Sequence, residues 1–302
     1  MTRTIAVIGC GLIGRAWAVV FARAGCNVRL WDPNPEVRDT LPAQLKETCD
    51  VSGDDPAALV RVQVLGTLED ALSGAEWVQE SGPEQLEVKR ALYTQMDVFC
   101  APETILASSS SALVASSFAA GLAGRRRILV AHPVNPPHVI PVVELCPSPD
   151  TAPEVMDRAE AFMKDVAQVP VRLTREIDGF VLNRLQAVVL AEALSLIEQG
   201  VVTPQGLDDT MAHGLGRRWT LMGPMETINL NAAGGVGDYL ERYGPTMARL
   251  ADSAARGEAF TANVAQILTE AMPRPAEVPT LSMARDRRLA ALTRHLNADK
   301  EP

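Results

Sequence analysis

The sequence predicts an α/β domain, a mostly parallel sheet with helices on both faces, followed by an all-α domain. Two observations lead there. Up to Ile177, short β-branched runs alternate with stretches of helical periodicity, and from Asp178 onward only helical stretches follow. The length of 302 residues holds two domains at about 150 residues each. We therefore expect a first domain over residues 1–177 and a helical one over 178–302.

The apolar run Thr4–Ile8 opens the chain as a strand. Leu12–Ala24 follows as a helix and Asn27–Trp31 as the second strand. Pro33 and Pro35 open a helical segment reaching Cys49, because proline suits a first helical turn. Strands are expected at Arg61–Leu65, Trp77–Glu80, Thr104–Ser108 and Arg127–Ala131, with helices at Gln85–Phe99 and Leu113–Ala120. Val142–Leu145 and Val169–Leu173 extend the sheet, with Ala152–Val166 as the crossover helix. Beyond the boundary, Phe180–Gln199 reads as one long helix, with Asp178 as its N-cap and Gly200 as its stop. Gly206–His213, Glu226–Ala232, Tyr239–Ala254, Thr261–Met272 and Leu281–His295 continue the helical pattern. No internal repeat is visible, which excludes a solenoid.

Hydrophobic residues make up 47% of the chain and charged residues 22%, ordinary for a protein with a real core. Acidic residues outnumber basic ones 37 to 28, so the net charge of −9 argues against nucleic acid or an anionic membrane surface as partner. Phe180–Ile197, the most apolar helical stretch, carries Asn183, Arg184, Gln186 and Glu192 and is too polar to span a bilayer. Cys10, Cys26, Cys49, Cys100 and Cys146 share no CxxC spacing and read as free thiols. With no charged-then-apolar leader ahead of the first strand, a cytoplasmic location is expected. The four histidines show no HExxH or paired spacing, so no metal site is expected.

Gly9-Cys10-Gly11-Leu12-Ile13-Gly14 stands between a strand and a helix. Gly9, Gly11 and Gly14 permit a tight turn, close approach of a pyrophosphate, and contact between helix and strand. The amides at the helix start, those of Leu12 and Ile13 included, face the anion. Asp32 ends the second strand and can accept bonds from both ribose hydroxyls while repelling a 2′-phosphate. The pattern marks a Rossmann-type fold that binds NAD rather than NADP.

His132 ends a strand, and ligands of such sheets sit beyond the carboxyl ends of strands. Glu144 follows after Pro133-Val134-Asn135-Pro136-Pro137, a passage that cannot be helical and can turn the chain back. The strand bearing Glu144 can then lie beside the one ending at His132. A carboxylate on one imidazole nitrogen fixes the tautomer and leaves the other nitrogen to exchange a proton with substrate.

Ser108-Ser109-Ser110-Ser111, His132-Pro133-Val134-Asn135-Pro136, Gly179-Phe180-Val181-Leu182-Asn183-Arg184 and Gly223-Pro224-Met225-Glu226-Thr227 occur in this order. Through them the sequence resembles the 3-hydroxyacyl-CoA dehydrogenase superfamily over essentially its whole length, and within it the branch of lambda-crystallin and L-gulonate 3-dehydrogenase. The resemblance implies that His132 is the general base, Glu144 its orienting partner, and Ser111 and Asn183 the binders of the substrate oxygen. It also places Glu84 and Lys89 near the nicotinamide ribose, and it implies a homodimer through the helical domain. The rival β-hydroxyacid dehydrogenases carry a lysine one turn before an asparagine. Here that position is Gly179, and no lysine occurs between Lys164 and Lys300.

The acyl-CoA enzymes of the family present basic residues to the CoA phosphates after the second strand. This chain sets Arg38, Lys46 and Arg61 against Glu36, Asp39, Glu47, Asp50, Asp54 and Asp55 there. A small free 3-hydroxy acid is the better expectation. Arg218 can clamp its carboxylate through a bidentate fork. Trp219 beside it matches an Arg-Trp pair in L-carnitine dehydrogenases, where an aromatic face suits a quaternary ammonium. His138 departs from the family branch, which has an aromatic residue at that place. A structural role like that of lens crystallin is the remaining alternative, and the joint presence of His132, Glu144, Ser111 and Asn183 weighs against it.

Overall fold

The computed structural model describes residues 2–298. They form two compact units, one of residues up to Val181 together with those from Thr280 on, the other Leu182–Pro279.

The first unit is built on eight strands: β1 (Thr4–Ile8), β2 (Asn27–Trp31), β3 (Val62–Val64), β4 (Trp77–Glu80), β5 (Ile105–Ser108), β6 (Ile128–Pro133), β7 (Val142–Pro147) and β8 (Val169–Arg172). Their order across the sheet is β3-β2-β1-β4-β5-β6-β7-β8. Every pairing is parallel except β6 with β7. The central strands read as unbroken apolar runs because both faces are covered. Along β1, Ile5 and Val7 enter one core cluster while Ala6 and Ile8 enter the other. The first cluster contains buried residues of α1 (Leu12–Arg23), α2 (Pro35–Ser52) and, further along the chain, the crossover helix of residues 153–165. Trp17 stacks on Phe21 at 5.3 Å, and Phe162 meets Trp77 at 4.7 Å. The second cluster contains residues of α3 (Leu68–Leu72), α4 (Leu86–Phe99) and α5 (Ala115–Ala119); the crossover helix is α6 (Pro153–Asp165). Periodicity alone misses the short α3, although Thr67 marks its start by accepting the Asp70 amide at 3.1 Å.

In the second unit, α7 (Leu182–Glu198) starts two residues later than the sequence predicts. Gly179 and Phe180 both adopt left-handed backbone, φ 74° and 49°, which no right-handed helix can include. Asp178 therefore sits in a turn ahead of the helix. Gly200, at φ 70°, does end it, with the Gly200 and Val201 amides bonded back to Ile197 and Leu196. Then come α8 (Pro204–Thr210), a π turn over Met211–Leu215, α9 (Gly216–Trp219), α10 (Pro224–Leu230), α11 (Gly235–Asp252) and α12 (Ala262–Ala271). Glu198 of α7 accepts the Thr261 hydroxyl at 2.7 Å and the Asn263 amide at 3.1 Å.

The last helix, α13 (Val278–Ala298), belongs over most of its length to the first unit, where its periodicity alone would assign it to the helical domain. Its Thr293 hydroxyl donates to the Val139 carbonyl at 3.0 Å and Arg294 to the Ser52 carbonyl at 2.8 Å. Contacts between residues so far apart in sequence leave no mark on periodicity. Under α13 a cavity of about 350 Å³ is lined by Arg23, Asp54, His138, Thr293 and Arg294, among others. Burial, ahead of the opposing charge of Asp54, pushes the His138 imidazole down from 6.5 to about 4. The folded chain thus keeps this ring neutral where the unfolded chain would protonate it. That stability is present above pH 6.5 and is lost as pH falls toward about 4. Its full size is about 3 kcal/mol. Denaturant titrations at about pH 7 and about pH 5 should show His138→Phe losing less stability on acidification than the native chain; equal losses would disprove this.

Candidate functional site

A cavity of about 630 Å³ opens at the carboxyl ends of β1, β2 and β4, lined by Gly9, Gly11, Asp32, Ser81, Gly82 and Pro83, among others. Its floor is the glycine turn. Gly9 has φ 90°, and a Cβ there would lie 2.7 Å from the Ser81 carbonyl carbon. Gly14 packs so close that a Cβ would stand 1.9 Å from the Gly9 carbonyl oxygen. At Gly11 nothing lies within 4 Å of that position, which leaves the turn open to a phosphate. The helical ladder of α1 begins with the Arg15 amide on the Gly11 carbonyl. The amides of Leu12, Ile13 and Gly14 therefore stay outside the ladder, as anion binding at a helix start requires. Leu12 and Ile13 do not themselves line the cavity.

Asp32 is fixed by two backbone donors, the Cys10 amide at 2.8 Å and the Asn34 amide at 3.0 Å. Its carboxylate is held at the cavity wall, where ribose hydroxyls can donate to it. These residues fit a dinucleotide.

Each of the first three serines of the run Ser108–Ser111 has a structural partner. Ser108 donates to Glu80 at 2.7 Å. Ser109 receives the Gln79 side-chain amide at 2.8 Å and meets the Ser81 hydroxyl at 2.8 Å. The Ser110 hydroxyl donates to Glu84, while the Leu113 amide donates to Ser110 Oγ at 2.7 Å. Glu84 also accepts the amides of Ser111, Ala112 and Leu113 at 3.1–3.4 Å. Burial raises the pKa of Glu84, but the Ser110 hydroxyl, Lys89 and these amides outweigh it and hold the carboxyl below its usual range. Glu84 thus shapes the turn that exposes Ser111.

Lys89, expected beside the nicotinamide ribose, is 1% exposed and bonds both oxygens of Glu80 at 2.9 Å. Neither it nor Glu84 lines the cavity. Glu80 escaped the sequence reading because a carboxylate inside an apolar strand becomes meaningful only when its partner is known.

His132 and Glu144 are cross-strand neighbours in the antiparallel β6–β7 pair. His132 Nδ1 lies 2.9 Å from Glu144 Oε2, and the residues are 3% and 2% exposed. The second oxygen, Oε1, accepts the Val181 amide at 2.9 Å. The imidazole is braced from one side by Phe180, ring centres 5.1 Å apart. The left-handed Gly179-Phe180 turn accomplishes both, seating a ring on the histidine and an amide on the carboxylate. Phe180, read as helix from periodicity, thereby joins the candidate site, and the glycine before it is the local signal of the turn. His138 lines the separate cavity under α13.

Asn183, Arg218 and Trp219 belong to the second unit. Asn183 falls in the first turn of α7, and Arg218 and Trp219 end the short α9 with exposed side chains. All five cysteines are buried free thiols. Among the described residues no group of three or more His, Cys, Asp or Glu could hold a metal. No helix among them is long and apolar enough to cross a membrane.

The chain is similar to known proteins over most of its length. Residues 4–177 match the family described as 3-hydroxyacyl-CoA dehydrogenase, NAD binding domain, and residues 179–266 match its C-terminal domain. A lambda-crystallin homolog of Bos taurus is 47% identical over 277 residues, covering 89% of this chain and 86% of that protein. An L-carnitine dehydrogenase of Streptomyces griseus is 35% identical over 250 residues, covering 81% of this chain and 75% of that protein. Among solved structures, an NAD+-dependent 5-formyl-3-hydroxy-2-methylpyridine 4-carboxylic acid 5-dehydrogenase superposes with a TM-score of 0.86 at 28% identity. That match covers 98% of this chain and 99% of the other. With both family domains present, the chain belongs to the 3-hydroxyacyl-CoA dehydrogenase family and is an NAD-dependent dehydrogenase.

Proposed function

We propose that this chain oxidises the 3-hydroxyl of a small free hydroxy acid, L-gulonate-like or 3-hydroxybutyrate-like, with His132 as general base. The observation that carries the reading is the 2.9 Å contact of His132 Nδ1 with Glu144, inside a site almost closed to water. With Nδ1–H donated to the carboxylate, Nε2 is left as the acceptor for the hydroxyl proton. Glu144 stabilises the imidazolium that forms, and Val181 keeps the carboxylate from rotating. NAD, held by the glycine turn and Asp32, would supply the acceptor for the hydride on the hydroxyl-bearing carbon. Ser111 and Asn183 donate to the oxygen as charge develops, a contribution of about 3 kcal/mol per donor in a dry site. Arg218 is the candidate clamp for the substrate carboxylate.

The excess of acidic residues after β2 favours a free acid over a CoA thioester. L-carnitine is the second reading, supported by the Streptomyces relative and by Trp219, 39% exposed and able to face a quaternary ammonium. The buried thiols fit the reducing cytoplasm. A screen of L-gulonate, 3-hydroxybutyrate, L-carnitine and 3-hydroxybutyryl-CoA, following the absorbance of reduced nicotinamide, tests the substrate. Free acids should be turned over faster; preference for the thioester would overturn the reading, and no turnover at all would favour a structural protein.

The same reading includes a homodimer. On α11, Val236, Leu240, Tyr243, Met247 and Leu250 are all exposed and alternate at spacings of four and three, the stripe of a helix that packs against another. A second copy is the partner that such a surplus of apolar helix implies. Sedimentation should give a dimer that Leu240→Glu dissociates; a native monomer at all dilutions would disprove it.

A further inference from the structure

The cavity of about 350 Å³ under α13 shares no lining residue with the dinucleotide cavity. Arg23 reaches it from the last turn of α1, Asp54 from just past the glycine that caps α2, and Arg294 from α13. His138, between β6 and β7, is 8% exposed, and its buried Nδ1 has no hydrogen-bond partner. A buried ring nitrogen without a partner costs free energy that a ligand can recover. Among the described residues, each guanidinium commits only Nη1 to the protein. Arg23 donates to the His138 carbonyl at 2.6 Å and to Asp54 at 3.3 Å, and Arg294 donates to the Ser52 carbonyl at 2.8 Å. A guanidinium carries five N–H donors in a fixed fork, so most of both forks is unspent. Two guanidiniums against the one carboxylate of Asp54 leave the lining with one positive charge in excess. Asp286, nearby on α13, is neutralised by Arg285 at 2.8 Å. Burial keeps the His138 ring neutral at pH 7, so it can donate an N–H without adding charge. One net charge and planar forks match a carboxylate better than a phosphate dianion. Val139 and Ala290 give the cavity an apolar side for a short carbon chain.

We propose that this cavity is a binding site for a small monocarboxylate, held by the Arg23 and Arg294 forks and the His138 ring, which tethers the last helix to the sheet domain. Sodium acetate is the probe, titrated against the full chain at about pH 7, with NADH present and ionic strength held constant with chloride. The readout is the imidazole resonance of His138 by NMR, identified by its loss in His138→Phe. That resonance should shift and saturate with acetate. At ten times the half-saturating concentration the melting temperature should rise by about 3 °C, and in His138→Phe most of that rise should vanish. Arg294→Met should raise the half-saturating concentration about 10-fold. Inorganic phosphate should move the same resonance only at concentrations at least about 10-fold higher than acetate. A native His138 resonance that ignores acetate, or drifts without saturating, overturns the proposal, and this holds even where a variant does not fold. An unchanged half-saturation in Arg294→Met, or a full rise in melting temperature in His138→Phe, places the acetate elsewhere and overturns it too. Tighter binding of phosphate than of acetate would overturn the assignment to a monocarboxylate.

Discussion

His132→Ala is expected to reduce kcat on the order of 1000-fold while leaving the dissociation constant for NADH within about twofold. That is a barrier increase of about 4 kcal/mol. The split follows from where the side chains stand. His132 contacts Glu144 and Phe180, whereas the dinucleotide cavity is lined by Gly9, Gly11, Asp32 and Ser81–Pro83. Steady-state rates and an NADH titration on the same preparation check it, and parallel loss of rate and affinity would remove His132 from the chemistry. Glu144→Gln probes orientation more finely. The carboxylate gives one oxygen to His132 and the other to the Val181 amide. An amide has a single oxygen, so one of those donors loses its acceptor or the imidazole is driven to the tautomer that protonates Nε2. Turnover should fall steeply in that variant too, again with NADH binding retained.

Gly14→Ala is expected to abolish cofactor binding, with loss of at least about 100-fold in affinity for NADH. The added methyl would stand 1.9 Å from the Gly9 carbonyl oxygen, a backbone atom that no side-chain movement can clear. Relief requires α1 to move off β1, which opens the turn that receives the pyrophosphate. Trp17 and Phe21 lie on that helix in the core, so a melting temperature lowered by several degrees should accompany the loss. Gly11→Ala is the control, since its Cβ would meet nothing within 4 Å in the protein and would obstruct only a bound phosphate. It should weaken NADH while leaving the melting temperature close to native. If Gly14→Ala bound NADH normally, the close packing of helix on strand could not be what forms the site.

Much of the first unit was legible because its signals are local. The glycine turn, the acid at the end of β2 and the alternation of strands with helices are each set by a few adjacent residues. The His132–Glu144 pair was legible for a similar reason: a short proline-rich connection leaves few ways for the chain to return except beside itself. Other assignments failed where the deciding contact was distant in sequence or turned on a backbone angle. Phe180 read as helix, yet its left-handed backbone makes it the wall of the histidine. Nothing local announces that Lys89, read as a ribose contact, is also the ion-pair partner of Glu80 at the end of β4. α13 read as part of a helical domain, yet Thr293 and Arg294 tie it to residues more than 150 positions away.

By itself the sequence determined the order of elements, the nature of the cofactor and which imidazole meets which carboxylate, since adjacency along the chain constrains those directly. Tertiary structure alone decided which buried charges face each other, which partners hold Ser108, Ser109 and Ser110, and where the last helix docks. Such choices depend on donors and acceptors brought together by the sheet, and burial requires each to be matched by groups that no local pattern names.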